Sequence, residues 1–170
     1  MAEQVNKAGR TPMSFMKAKQ EPIDLLEGRK SDVRTQFAAL CYRQRKGKTQ
    51  VLLITSRQTK RWIIPKGWPI DGKTPSESAM TEAWEEAGVI GKVFTQSLGL
   101  FSYSRYLPDG EEYPCVAMVY PIKVKSLADD YPETGQRDRR WFGRKRAAEN
   151  VAEPELAHIL KNFDSGLLKT

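Results

Sequence analysis

Histidine and cysteine are scarce in this 170-residue chain, which carries one of the first and two of the second. The single histidine, His158, falls in the last helix-like segment and is read as structural or solvated, with no catalytic role. Cys41 and Cys115 both sit in apolar, strand-like runs and read as reduced core residues. Two cysteines do not make the dense framework of a secreted disulfide scaffold. Long apolar runs are missing too. None approaches the roughly 20 residues that cross a bilayer, so no membrane partner is expected. The N-terminus lacks the compact apolar core of a secretory signal. There is no internal repeat and no heptad pattern. On these grounds the expected compartment is cytoplasmic.

Acidic residues are the minority charge. Asp and Glu number 21 against 28 Lys and Arg, a net charge of +7. Such an excess points to an anionic partner. Charge alone does not choose among nucleic acid, polyphosphate and acidic lipid headgroups. Hydrophobic residues at 39% and charged ones at 29% suit a soluble globular chain. The length is enough for one domain with a full core.

The minority acids are not scattered evenly. The stretch GWPIDGKTPSESAMTEAWEEAGV, Gly67 to Val89, places three of them on one face of a short helix. Thr74 is a good N-cap, Pro75 takes the first helical position, and Glu77 falls three after the cap, which makes a capping box. Ala79, Met80, Ala83, Trp84 and Ala87 follow at helical spacing, and Gly88 is a natural terminator. At about 100° per residue, Glu82, Glu85 and Glu86 share an arc of roughly 100° beside the apolar face. Like charges at these spacings cost about a few tenths of a kcal/mol per pair. Three hard oxygen donors on one rigid face suit Mg²⁺ or Mn²⁺, with substrate phosphates and water completing the shell.

These residues resemble the Nudix hydrolase box, G-x5-E-x7-R-E-U-x-E-E-x-G-U with U aliphatic. Laid on this chain the box begins at Gly67 and finds Glu82, Glu85, Glu86, Gly88 and Val89, with Ala83 as a small U. Two positions depart: Lys73 stands where the family has Glu, and Thr81 where it has Arg. The resemblance implies that the missing pair braces the loop against the helix. Losing both leaves neither charge unpaired, so the change reads as a replaced brace. The competing reading is a non-catalytic relative. Pro65-Lys66-Gly67-Trp68 before the box, and RRWF followed by EPEL near the end, are similar to diphosphoinositol polyphosphate and diadenosine polyphosphate phosphohydrolases.

The fold implied is an α/β (α+β) arrangement, a Nudix-like α/β/α sandwich around a mixed sheet, over residues 33–170. Residues 1–32 read as a loose basic arm. Strands are expected at Thr35–Arg43, Gln50–Thr55, Arg61–Ile64, Val93–Tyr106, Tyr113–Lys125 and Arg139–Phe142. Pro65-Lys66-Gly67 reads as a turn. A closing helix is expected from Pro154 to Phe163, with Leu156, Ile159, Leu160 and Phe163 on one face.

The activity implied is Mg²⁺-dependent hydrolysis of a phosphoanhydride, P–O–P, in a highly anionic small molecule such as a diphosphoinositol or diadenosine polyphosphate. Glu82, Glu85, Glu86 and the Gly67 carbonyl would hold the metal, Mg²⁺ or Mn²⁺. One of the three glutamates, Glu85 being a candidate, would take the proton of the attacking water. Lys66, Lys73, Arg57 and Arg61 are the candidate phosphate-binding residues. The later cluster of Arg137, Arg139, Arg140, Arg144, Lys145 and Arg146 reads first as a solvated face. An acidic loop of Asp129, Asp130 and Glu133 is a further source of one ligand or base. Phe101, Tyr103 and Tyr106 are packing residues before they are base-stacking ones. The alternatives are a hydrolase of ADP-ribose or another nucleoside diphosphate derivative, and a non-catalytic module binding polyphosphate or RNA. Nucleic acid is not the favoured partner, and the oligomeric state is left open.

Overall fold

The computed structural model describes residues 33–169, so the expected N-terminal arm lies outside the described residues. The chain runs β1 (Arg34–Arg45), β2 (Lys48–Thr55), β3 (Trp62–Ile63), β4 (Lys66–Gly67), α1 (Pro75–Ala87), β5 (Val89–Val93), β6 (Gly99–Tyr106), β7 (Glu112–Leu127) and β8 (Arg139–Gly143). It closes with α2 (Arg144–Asn150), α3 (Pro154–Asn162) and a 3₁₀ turn at Ser165–Leu167.

The sequence of β1 explains its central place. Phe37 to Tyr42 are all buried, a continuous apolar run of the kind found in strands covered on both faces. β1 lies parallel to β7, and every other pairing is antiparallel, so the sheet is mixed. Side-chain alternation divides the core in two. Phe37, Ala39 and Cys41 face α1 through Ala79, Ala83 and Ala87. Ala38, Leu40 and Tyr42 face the other way, toward Ala147 of α2 and Leu156, Leu160 and Phe163 at α3. This is the expected α/β/α sandwich. Full burial of an aliphatic side chain stabilises by about 1.5–3 kcal/mol, and truncating Leu156 or Leu160 to Ala would cost about 2–5 kcal/mol. Cys41 and Cys115 are free and buried, as expected of core thiols. No helix among the described residues is long and apolar enough to cross a membrane.

Two local expectations need correction. The strand expected over Val93–Tyr106 is broken. β5 and β6 lie end to end along one edge of β7, with residues 94–98 bulging between them. Phe94 N–H and Leu98 N–H donate to the carbonyls of Pro121 and Val119. Pro121 therefore turns its carbonyl, and the place where its missing N–H would be, toward this edge. A proline there cannot complete the ladder, and the partner strand bulges. The second correction concerns Pro65-Lys66-Gly67. Lys66–Gly67 is a short strand paired antiparallel with Ala38 and Phe37 of β1, not a turn.

Candidate active site

The acidic helix α1 is set in place by its own ends. Thr74 Oγ1 accepts from Glu77 N–H at 3.2 Å, and the Glu77 carboxylate accepts from Thr74 N–H at 2.9 Å. Gly88 takes the left-handed conformation at φ 68°, and its N–H donates to the Trp84 carbonyl. A side chain at Gly88 would also strike the Tyr131 ring. With both caps fixed, the three alanines turn to the sheet, and Glu82 and Glu86 turn toward β4.

β4 receives them closely. A Cβ on Gly67 would overlap the Glu82 carboxylate. Gly67 is not among the glycines with positive φ, so close approach, rather than backbone freedom, is what requires glycine here. Glu86 Oε1 accepts from Lys66 N–H at 3.3 Å. Glu86 lies close enough to Glu82 to oppose its charging. Burial pushes the Glu82 carboxyl up to about 8, and repulsion from Glu86 and Glu85 adds to the effect. Burial also raises Glu86, to about 7, against the opposing pull of Arg137 and Lys66.

Arg137, almost fully buried with 8% of its side chain exposed, ties three elements together. It donates through Nε to Glu133 at 3.0 Å and through NH1 to the Thr55 carbonyl at 3.1 Å. Its NH2 stands 3.7 Å from Glu86 Oε2. Glu133 N–H in turn donates to the Glu85 carbonyl at 3.0 Å, docking its loop on α1. Arg57, Lys66, Arg105 and Arg137 surround Glu86 in a cavity of about 190 Å³. Burial lowers the Lys66 ammonium from its usual range, while Glu86 and Glu153 pull it back.

Of the residues singled out in the sequence, the fold brings Glu82, Glu86, Gly67, Lys66 and Arg57 together. Glu85 adds repulsion to Glu82. Among the described residues no three acids, histidines or cysteines already converge as a closed ligand set. Arg61 lies apart from the cavity, 3.9 Å from Glu153, and exposed Lys73 does not line it either. Tyr103 donates to Gln36 and lies 4.9 Å below the Lys66 ammonium, whereas Phe101 is core and Tyr106 is exposed. His158 is exposed beside Asn162. Asp129 and Asp130 are exposed, so Glu133 is the acid of that loop which the glutamate pair senses.

The late basic cluster divides by task. Arg137 enters the cavity, while Arg139 donates to the Ala87 and Ala128 carbonyls and closes the C-terminus of α1. Arg140 stacks over Trp62. Arg105 carried no signal in the sequence, because only the pairing of β6 with β7 delivers it.

Near the two departures from the box, the loop and helix are joined by other contacts. Buried Ser78 accepts from Ile70 N–H at 3.3 Å, fastening the loop to the helix. Thr81 bonds back to the Glu77 carbonyl at 3.0 Å, and Lys73 N–H donates to the Ile70 carbonyl.

Comparison with known proteins bears on the family and the fold. The family model described as NUDIX domain matches residues 34–163. The chain is 34% identical over 119 residues to Nudix hydrolase 12, mitochondrial, of Arabidopsis thaliana, covering 68% of this chain and 59% of that one. It is 34% identical over 107 residues to human diphosphoinositol polyphosphate phosphohydrolase 3-alpha, covering 62% and 61%. The chain thus spans about three fifths of the length of these curated relatives. The crystal structure of C. elegans Ap4A hydrolase superposes with a TM-score of 0.57 at 18% identity, covering 80% of this chain and 99% of that one, which bears on the fold alone.

Proposed function

The chain belongs to the NUDIX domain family, and from that membership we propose that it is a divalent-metal-dependent hydrolase of phosphoanhydride bonds. One observation carries the reading: the Glu82 carboxylate packs over Gly67, which leaves room for it, and Glu86 one turn on accepts from the neighbouring Lys66 N–H and lines a cation-rich cavity. Burial and mutual repulsion oppose charging both, and a divalent cation relieves that opposition. The donor set is all oxygen, which fits Mg²⁺ or Mn²⁺.

Glu82, Glu86 and Glu85, with the Gly67 carbonyl, would hold the metal. Such an ion would supply charge neutralisation at the diphosphate and Lewis acidity that eases deprotonation of the attacking water. The chain's own residues do the rest. Arg57, Arg105 and Lys66 seat the phosphates, with arginine supplying paired donors and lysine a point charge. Arg137 holds Glu86 from behind. One of the glutamates accepts the proton of the attacking water, and the products are two phosphate-bearing fragments.

The substrate class we favour is a highly anionic diphosphoinositol or diadenosine polyphosphate. The net charge of +7 and the likeness to relatives of that name support it. A panel of phosphoanhydrides, including ADP-ribose, assayed with Mg²⁺ and with a chelator tests both levels. Product release from none of the panel with Mg²⁺ present contradicts the hydrolase reading and favours a binding module.

A further inference from the structure

At the end of β2 away from the cavity, the β1–β2 turn, the start of α2 and the end of α3 enclose an open groove of about 950 Å³. Five cations line it, Lys48, Arg144, Lys145, Arg146 and Lys161, against one carboxylate, Glu149. All six side chains belong to exposed residues. Among the described residues none of the five cations is in a salt bridge. Arg144 donates to the Phe163 carbonyl, and Lys161 sits in the last turn of α3, where a cation suits the helix end.

The packing of the fold does not call for this charge. α2 buries only Ala147, so Lys145 and Arg146 contribute nothing to the core. Unpaired like charges held on three separate elements around one concavity repel each other, and a bound polyanion relieves that repulsion.

The lining also says which polyanion. No side chain in it is aromatic or a large aliphatic. Sites for single-stranded nucleic acid join a basic track to aromatic platforms on which bases stack. This groove has the track without the platforms, and being concave it does not meet a flat bilayer. We propose that it binds inorganic polyphosphate, a linear chain with charge at every unit and no base to accommodate. The site is separate from the acidic cavity. β2 runs from Lys48 at the groove to Thr55 beside Arg137, so the two lie roughly 20–25 Å apart at about 3.3 Å per residue. Binding there requires neither a divalent ion nor hydrolysis, so it stands whether or not the proposed activity does.

The test is fluorescence anisotropy of end-labelled inorganic polyphosphate with the full chain, in chelator, over a range of salt. The wild type is expected to bind with an affinity that falls as salt rises. Lys145→Glu with Arg146→Glu weakens binding at least about tenfold and flattens the log–log salt slope by roughly 1.4, at about 0.7 per lost contact. Lys161→Glu, on the facing wall, acts in the same direction and guards against a local fault in α2; thermal melts confirm that each variant is folded. Unchanged affinity in both variants overturns the proposal. So does loss of binding on Arg57→Glu alone, which would put the chain in the cavity. Displacement by single-stranded RNA at equal or lower phosphate concentration overturns the choice of polyphosphate.

Discussion

The Glu82 carboxylate occupies the space that a Cβ on Gly67 would fill. Gly67 opens the acidic stretch and Glu82 stands fifteen residues later in the middle of α1, so this contact brings both parts of the motif to one point. It accounts for glycine at a position where the backbone does not need one.

Gly67→Ala is therefore expected to displace Glu82. Overpacking of this kind costs about 1–3 kcal/mol. A fall in Tm together with weaker Mn²⁺ affinity by calorimetric titration is the expected result. A fall in Tm with unchanged cation affinity would separate the glycine from the metal site.

The raised carboxyls predict how the metal-free protein responds to pH. Glu82 and Glu86 lie at about 8 and 7 in the folded chain, against 4.5 for an ordinary glutamate. A group raised by folding contributes stability that is fully present below its unfolded value and lost as pH rises through its folded value. Tm in chelator should thus fall between about pH 5 and pH 8, and fall less in Glu82→Gln. Mg²⁺ should raise Tm more at the higher pH, since metal binds the deprotonated pair. An equal rise at both ends would refute the assignment.

Among the described residues, Arg137 is the cation that Glu86 and Glu133 share. Arg137→Gln leaves two partly buried carboxylates without their partner, and breaking such a pair costs about 3–5 kcal/mol. Arg137→Lys keeps the charge but not the three-way fork, and should fall between wild type and Gln in chemical denaturation. A Gln variant as stable as wild type would show that the arginine is not the brace we describe.

The two departures from the family's box predict an asymmetry. Ser78 already fastens the loop through Ile70, so Lys73→Glu with Thr81→Arg adds an exposed pair of about 0–1 kcal/mol. Stability should change by more than turnover does. A large gain in rate from that double change would instead mark the natural chain as a decayed enzyme.

What could be read in the sequence was what neighbouring residues decide. The capping box at Thr74 and Glu77, the stop at Gly88 and the arc of glutamates all depend on contacts within a turn or two. The buried run of β1 and the face of α3 follow from periodicity. Arg105 and Arg137 were not legible as site residues, because each reaches the cavity through strands and loops that only the assembled sheet brings together. β4 is two residues long, and its identity lies in its partner, β1. Pro121 carried the signal for the bulge at 94–98, but that signal has meaning only once the two strands are paired.

The most direct test of the central claim is turnover of a phosphoanhydride substrate by Glu86→Gln, beside the wild type, with and without Mg²⁺. The account predicts Mg²⁺-dependent release of phosphate-bearing products by the wild type and a loss of more than about 100-fold in kcat/KM in a variant that remains folded. Equal activity in the two proteins, or activity untouched by chelator, would contradict it.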